Sequence, residues 1–367
     1  MAAEENAVWA LGLMSGTSLD GIDAALLKTD GEHVFDFGPW LTLPFEDTFK
    51  DRLREAVYGR GDMLLIEKEI TEKHADAVNM LLRKADMRAS DVHVIGMHGQ
   101  TVAHRPAEGM TWQIGNGALL AEKTRIDVVC DFRRRDVAAG GEGAPLVPLF
   151  HAALALRMQL PIVVLNIGGI ANVTWIGRSE YSSEKITSLD ILAFDTGPGN
   201  VLLNEWAYKH TKQYCDLDGK LALAGKVNEA ALAQMLDDPY FAKHPPKSLD
   251  RNHFAFGPVE KLTAEDGAAT LTELTVAAVE RGTEHFPLPA SQWFVSGGGR
   301  HNPAIMQVLQ KRFMQVYPVE SLGWIGDALE AQAFGFLAVR SRKGLALSLP
   351  TTTGAIRAVT GGAYYRA

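Results

Sequence analysis

The sequence predicts an α/β protein built as two lobes. An apolar strand, a polar glycine-containing turn and a second strand occur at residues 8–27, and the same order returns at 162–176. Helical periodicity fills the chain after each of these units. The length agrees, since 367 residues exceed one ordinary domain of about 100–200 residues.

Along the chain, 8–13 and 22–27 read as the strands of a hairpin around the turn 15–18. Residues 49–57 and 66–86 carry apolar side chains at helical spacing, with Ile66, Ile70, Ala77 and Leu81 on one face. Strands follow at 92–96, 112–114 and 126–130, with a helix at 118–123 before the last. The Gly/Pro-rich stretch 139–148 is a loop, and 151–157 is a short helix. The second lobe has strands at 162–165, 173–176, 191–194 and 293–296. A polar hairpin tip is expected at 177–188, and helices at 201–209, 230–236, 271–286, 303–313 and 328–342. The expected lobes are residues 1–150 with 346–367, and 160–345, with a cleft between them.

Composition excludes several classes. The formal net charge of −8 argues against a general nucleic-acid binder. No run of about 18 apolar residues exists, so no membrane span is expected. The start of the chain lacks the basic and apolar regions of a signal peptide. Cys130 and Cys215 show no metal-ligand spacing, and a reducing, cytoplasmic compartment is the expectation.

Three turns carry candidate chemistry. The first runs from Gly12 to Asp23. Its glycines let backbone N–H groups approach an anion, Ser15, Thr17 and Ser18 add hydroxyl donors, and Asp20 and Asp23 could hold Mg²⁺. An ordinary hairpin turn uses the same residue types, and no Gly-Lys-Ser/Thr follows to make a P-loop. The second is Phe194-Asp195-Thr196-Gly197-Pro198-Gly199-Asn200, a carboxylate at a strand end before a helix. It suits a general base beside a helix N-terminus that can bind phosphate, or a plain N-cap. The third is Gly297-Gly298-Gly299, where the entropy cost of three glycines suits a flat ligand lying on the backbone. Two further polar stretches, at 98–101 and 131–136, follow strands. The arginines Arg133, Arg134 and Arg135 could bind a carboxylate bidentately or form a solvated turn.

The order and the literal strings resemble the anhydro-N-acetylmuramic acid kinases, of the sugar kinase/actin/Hsp70 superfamily. Matching strings lie at 12–23, 98–101, 113–116, 131–139, 143–148, 165–172, 194–200, 297–299, 327–331 and 359–361. Several are long, notably Asp131-Phe132-Arg133-Arg134-Arg135-Asp136-Val137-Ala138-Ala139-Gly140-Gly141. Residues 323–326 lack the prolines expected there, and Met97 stands where a smaller residue is usual.

The resemblance implies the two-lobe fold of that superfamily, with a mixed five-stranded sheet flanked by helices in each lobe. It also implies a reaction in murein recycling. ATP and water convert 1,6-anhydro-N-acetylmuramic acid to N-acetylmuramic acid 6-phosphate and ADP. Asp195 would be the general base. Gly16, Thr17, Ser18, Leu19, Asp20, Gly21, Ile22 and Asp23 would hold the nucleotide phosphates, with Mg²⁺ at Asp20 or Asp23. Gly197, Gly199, Gly297, Gly298 and Gly299 would serve the nucleotide too. Thr101, Arg135 and Glu330 would meet the sugar. Family habit implies a homodimer. The rivals are a kinase for another sugar and a nucleotide-switched chaperone or cytoskeletal ATPase of the same superfamily. The latter would need a further domain or large insertions.

Overall fold

The computed structural model describes residues 4–16, 19–178, 185–250 and 253–367. Thr17 and Ser18 of the first turn, and residues 179–184 of the expected hairpin tip, lie outside the described residues.

In chain order the elements are β1 (Val8–Ser15), β2 (Gly21–Thr29), β3 (Val34–Pro44), α1 (Asp47–Val57), α2 (Met63–Ala85), β4 (Val94–Arg105), β5 (Met110–Ile114), α3 (Gly117–Thr124), β6 (Val128–Cys130), α4 (Arg134–Ala138) and α5 (Pro148–Ala155). Next come β7 (Ile162–Ile167), β8 (Ile170–Arg178), β9 (Leu189–Pro198), α6 (Asn200–Thr211), α7 (Lys220–Ala224), α8 (Glu229–Leu236), α9 (Ala264–Gly282), β10 (Gln292–Ser296), α10 (Pro303–Arg312) and β11 (Val316–Pro318). The chain ends with α11 (Leu329–Arg342), α12 (Pro350–Thr353) and β12 (Ala363–Tyr365). Among the described residues no helix is long and apolar enough to cross a membrane.

The chain forms two compact units. The first runs to Leu156 and takes back Asp327–Ala367; the second spans Arg157 to Gly326 apart from a short stretch ending at Ile186. Residues 327–345, expected in the second lobe, therefore divide differently, because α11 belongs to the first unit. Its lack of a polar face hides its partner in the sequence: eleven of its residues, from Leu329 to Arg340, are buried.

The sheet of the first unit has the order β12-β6-β4-β1-β2-β3, with β5 paired to β4. That makes seven strands among the described residues where five were expected. The two unforeseen strands are β3 and β12. Gly38 and Pro39 interrupt the alternation of β3, and the register slips there, Ala25 pairing Trp40 but Leu27 pairing Phe37. A bulge of this kind tolerates proline. β12 has only three residues, too few to show a period. Leu11, Leu13, Ile22, Phe49, Ile70 and Leu81 are fully buried between this sheet and α1–α2. Each contributes about 1.5–3 kcal/mol of burial.

On the first sheet's glycines, α11 lies unusually close. A Cβ on Gly12 would sit 1.6 Å from the Ala331 carbonyl oxygen, and one on Gly96 would sit 2.0 Å from that of Phe334. These two glycines let the helix backbone settle on β1 and β4, which fixes the start of α11 and so Asp327 to Ala331.

The second unit holds the sheet β11-β10-β7-β8-β9, five strands as the resemblance implies, with β11 absent from the four read along the sequence. Val163, Leu165, Trp175, Phe194, Trp206 and Leu274 form part of its core with α6 and α9. Thr263 caps α9 by accepting the Asp266 N–H at 3.1 Å, so this helix begins before the expected residue 271.

Candidate active site

The first turn leaves β1 and enters β2. Ser15 is buried and its hydroxyl donates to Gln100 Oε1 at 2.5 Å, while Gln100 Nε2 donates to the Gly16 carbonyl at 3.3 Å. The parallel register that places Ser15 opposite Gln100 makes this link. Gln100 thus anchors the turn, a role that its place in the string 98–101 hinted at but its residue type did not declare. Leu19 has φ +60 and is buried, and Ile22 is fully buried, so both side chains serve the core; the Leu19 N–H donates back to the Gly16 carbonyl at 3.2 Å and Ile22 pairs with Leu43 in the sheet. Gly21 is needed for a different contact than a phosphate: a Cβ there would lie 2.4 Å from the Leu43 carbonyl oxygen.

Asp20 is exposed at the end of the turn, and Asp23 accepts the Thr42 hydroxyl at 2.5 Å. Burial raises the Asp23 pKa above the usual carboxylate value, and the neighbouring charges of Asp327 and Asp20 add to it. The first unit therefore gathers three carboxylates, and Asp327 was not among the expected metal residues. The gathering is loose: among the described residues no group of three His, Cys, Asp or Glu side chains is placed to hold a metal alone. Glu330 sits in the first turn of α11, close in sequence to Asp327.

Thr101 lies on β4, which runs on through 98–101 instead of stopping at residue 96. Its hydroxyl accepts from Gln113 Nε2 at 3.2 Å across the β4–β5 ladder. Gln113 also lines a cavity of about 280 Å³ together with Gly99, Trp112, Asp131 and Arg134.

The arginine cluster resolves into three different side chains. Arg133 Nε donates to His98 Nε2 at 3.0 Å, and Arg133 Nη1 donates to the Gly143 carbonyl at 2.8 Å. The other ring nitrogen of His98 bonds the Gly99 carbonyl at 2.7 Å, and burial with Arg133 alongside drives the His98 pKa well below its ordinary value. This pair is neutral imidazole and structural guanidinium. Arg134 pairs with Asp131 at 3.5 Å. Arg135 is exposed, and its guanidinium has no hydrogen-bond or ion-pair partner among the described residues. Behind it, the buried Asp136 accepts from Gly143 N at 2.7 Å, from the Thr353 hydroxyl at 2.7 Å and from the Ser348 hydroxyl. That carboxylate ties α4 to the loop at 140–143 and to the C-terminal segment. A satisfied buried acid of this kind escapes sequence reading because its two hydroxyl partners lie 212 and 217 residues away.

In the second unit, Asp195 lies near the end of β9, opposite Asn172 of β8. Leu249 N donates to Asp195 Oδ2 at 2.9 Å. The Asp195 N–H donates to the Lys247 carbonyl at 3.0 Å, and the Tyr240 hydroxyl donates to the Asp195 carbonyl at 2.6 Å. The residue is thus gripped through backbone and carboxylate together, by a segment without helical or strand periodicity in its sequence. After it, Gly199 N donates to Gly169 O at 2.9 Å and Asn200 N to Gly168 O at 2.8 Å, so the β7–β8 turn and the α6 N-terminus are one structure.

Several glycines expected to serve the nucleotide also have packing reasons. A Cβ on Gly197 would lie 2.8 Å from Ala278 Cβ of α9, and one on Gly199 would lie 2.4 Å from Gly168 O. Gly297 has φ +73, and its Cβ would lie 2.3 Å from Asn166 Oδ1; that of Gly299 would lie 2.4 Å from Ile167 Cγ2. Only Gly298 of the three leaves room for a side chain, since a Cβ there would meet Asn200 Nδ2 at an ordinary contact distance of 3.6 Å. Arg300 stiffens this turn by donating to Glu320 at 2.8 Å and to the Gly297 carbonyl at 2.9 Å.

Comparison with known proteins identifies the family of the chain. The profile of the anhydro-N-acetylmuramic acid kinase family matches residues 8–367. A protein of Paramagnetospirillum magneticum named anhydro-N-acetylmuramic acid kinase is 51% identical over 360 residues, covering 97% of this chain and 99% of that one. Its namesake in Rhodospirillum rubrum is 48% identical over 369 residues, covering 99% and 96%. Among solved structures, a ROK family glucokinase from Streptomyces griseus aligns at 12% identity with a TM-score of 0.40, over 92% of this chain and 100% of that one, too distant to argue from. Similarity at this identity over nearly the whole length, on a chain with the turns described, shows that it belongs to the anhydro-N-acetylmuramic acid kinase family.

Proposed function

We propose that the protein uses ATP and water to open 1,6-anhydro-N-acetylmuramic acid and phosphorylate its O6, within murein recycling. The observation that carries the reading is the held carboxylate of Asp195 in a chain of this family. Asp195 takes a proton from the water that attacks C1. The C1–O6 bond breaks, O6 attacks the γ-phosphorus, and ADP leaves. Positioning and charge neutralisation supply most of such a transfer.

The backbone of Gly16 to Gly21 and the open Gly298 serve the nucleotide, while Gly197, Gly199, Gly297 and Gly299 shape the turns around it. Thr17 and Ser18 belong to the same reading. Arg135, the arginine whose guanidinium has no partner among the described residues, suits the lactyl carboxylate of the sugar. Thr101 and Glu330 suit its hydroxyls. Mg²⁺ fits near Asp20, Asp23 and Asp327, because a cation relieves the mutual repulsion felt by Asp23. The loose spacing favours ligation shared with water and phosphate. When bound, Mg²⁺ would neutralise phosphate charge. We extend the reading to a homodimer working in the cytoplasm; light scattering tests the first.

Incubation with ATP and a panel of sugars tests the function. Turnover with the anhydro sugar alone, with ¹⁸O from labelled water entering at C1, is expected. ATP hydrolysis without sugar phosphorylation overturns it. Asp195→Asn should abolish turnover.

A further inference from the structure

Lys247 is 7% exposed, yet no carboxylate pairs with it among the described residues. Its ammonium donates to the carbonyls of Tyr240 at 3.2 Å and Phe241 at 3.4 Å. It also lies 4.8 Å from the Tyr240 ring centre and 5.9 Å from that of Phe194. A buried ammonium without a counter-ion is costly, and carbonyls and ring faces offset only part of that cost. Leucine or methionine would fill the space without it.

Both carbonyl bonds of this ammonium end on the turn that also holds Asp195. The hydroxyl of Tyr240 donates to the Asp195 carbonyl, the Lys247 carbonyl accepts the Asp195 N–H, and Leu249 N–H reaches the carboxylate itself. The Lys247 side chain closes this ring. We infer that Lys247 is a positioning residue for the catalytic carboxylate, its ammonium locking the Tyr240–Phe241 turn to the 247–249 segment that orients Asp195. The inference rests on Asp195 being the base.

The charge on Lys247 can be switched. Burial, with Lys243 nearby, lowers its pKa from 10.5 to about 8. Other titratable groups face the same aromatic cluster. Lys243 lies 5.8 Å and His253 5.9 Å from the Tyr240 ring, and His253 pairs with Asp238 at 3.0 Å. Arg281 lies 5.7 Å from Phe241. The rings of His244 and His285 are 5.4 Å apart, Glu284 adjoins them, and His285 is 5.8 Å from Phe194. His285 is lowered by burial, then by Lys247 and His244, so it titrates on the acid side.

The sign of the stability effect separates positioning from mere support. Between about 8 and 10.5 the folded protein binds fewer protons at Lys247 than the unfolded chain does. This residue therefore makes the fold more stable as pH rises through that window. Activity should move the other way, because the lock needs the charge.

The test measures kcat, KM and melting midpoint against pH for the wild type, Lys247→Arg, Lys247→Met and Asp195→Asn. Wild-type kcat should fall about tenfold per pH unit above the Lys247 pKa, while its melting midpoint relative to Lys247→Met rises. Lys247→Arg should keep its activity through that range. Lys247→Met should lose about 10–100-fold in kcat with both KM values changed less than about threefold. An alkaline limb that Lys247→Arg leaves in place, or wild-type kcat in Lys247→Met, overturns the inference. A wild type inactive on the anhydro sugar, or a fully active Asp195→Asn, overturns instead the function or base on which it rests.

Discussion

Replacing Gln100 by leucine tests whether the first turn is held from β4. Leucine fills the buried space but accepts nothing from Ser15, whose side chain is 1% exposed. Leaving that hydroxyl unpaired costs about 1–3 kcal/mol. The Gly16 carbonyl is only half-buried and can turn to water, so it adds little. A loss of about 2 kcal/mol should lower the melting midpoint of the first unit by roughly 4–8 °C, at the rate of a unit of 150–250 residues. The released turn should also raise the KM for ATP about 5–30-fold, equivalent to about 1–2 kcal/mol of binding. Circular dichroism melting and steady-state kinetics read the two effects. Adding Ser15→Ala removes both partners together, and should restore at least about half of the lost stability. A Gln100→Leu protein melting within about one degree of the wild type with unchanged KM for ATP would refute the anchor. Strict additivity in the double variant would refute the coupling.

Arg135→Ala should raise the KM for the sugar about 10–100-fold with little change in melting, whereas Arg133→Ala should lower the melting midpoint, since it strips His98 and Gly143 of a donor; kinetics beside melting curves separate them. Asp23 has a raised pKa, so ionising it costs the fold stability as pH rises through that value. Asp23→Asn should therefore melt about 1–3 °C higher than the wild type without Mg²⁺ at neutral pH, and should gain less from added Mg²⁺ in a thermal-shift titration. Gly298→Ala should stay within about 0.5 kcal/mol of wild-type stability, whereas Gly297→Ala and Gly299→Ala should each lose about 1–3 kcal/mol in urea unfolding.

Strands with an uninterrupted apolar run were legible, as at 8–13 and 162–165, and so was the carboxylate at the end of β9. What escaped depends on distant partners. Three adjacent arginines look alike in sequence; they differ because His98 and Gly143 claim Arg133 while Asp131 claims Arg134. The triple glycine suggested a ligand surface, but contacts with Asn166 and Ile167 require two of the three. β3 was hidden by the glycine and proline at its bulge. The grip of Tyr240, Lys247 and Leu249 on Asp195 comes from a segment with no periodicity to betray it.

The helix laid on Gly12 and Gly96 sets a timetable for synthesis. Its seam with the N-terminal strands includes Arg340 Nη1 donating to the Gly31 carbonyl at 2.6 Å and Lys343 Nζ to that of Asp30 at 2.7 Å. At about 5–20 residues per second, the roughly 300 residues between these partners take some 15–60 s to translate. Throughout that interval the nascent first sheet has a bare backbone-lined face and no helix to cover it. A ribosome stalled before residue 327 would leave that face open to chaperones or to other chains, so α11 is what lets the sheet around β1 and β4 finish folding.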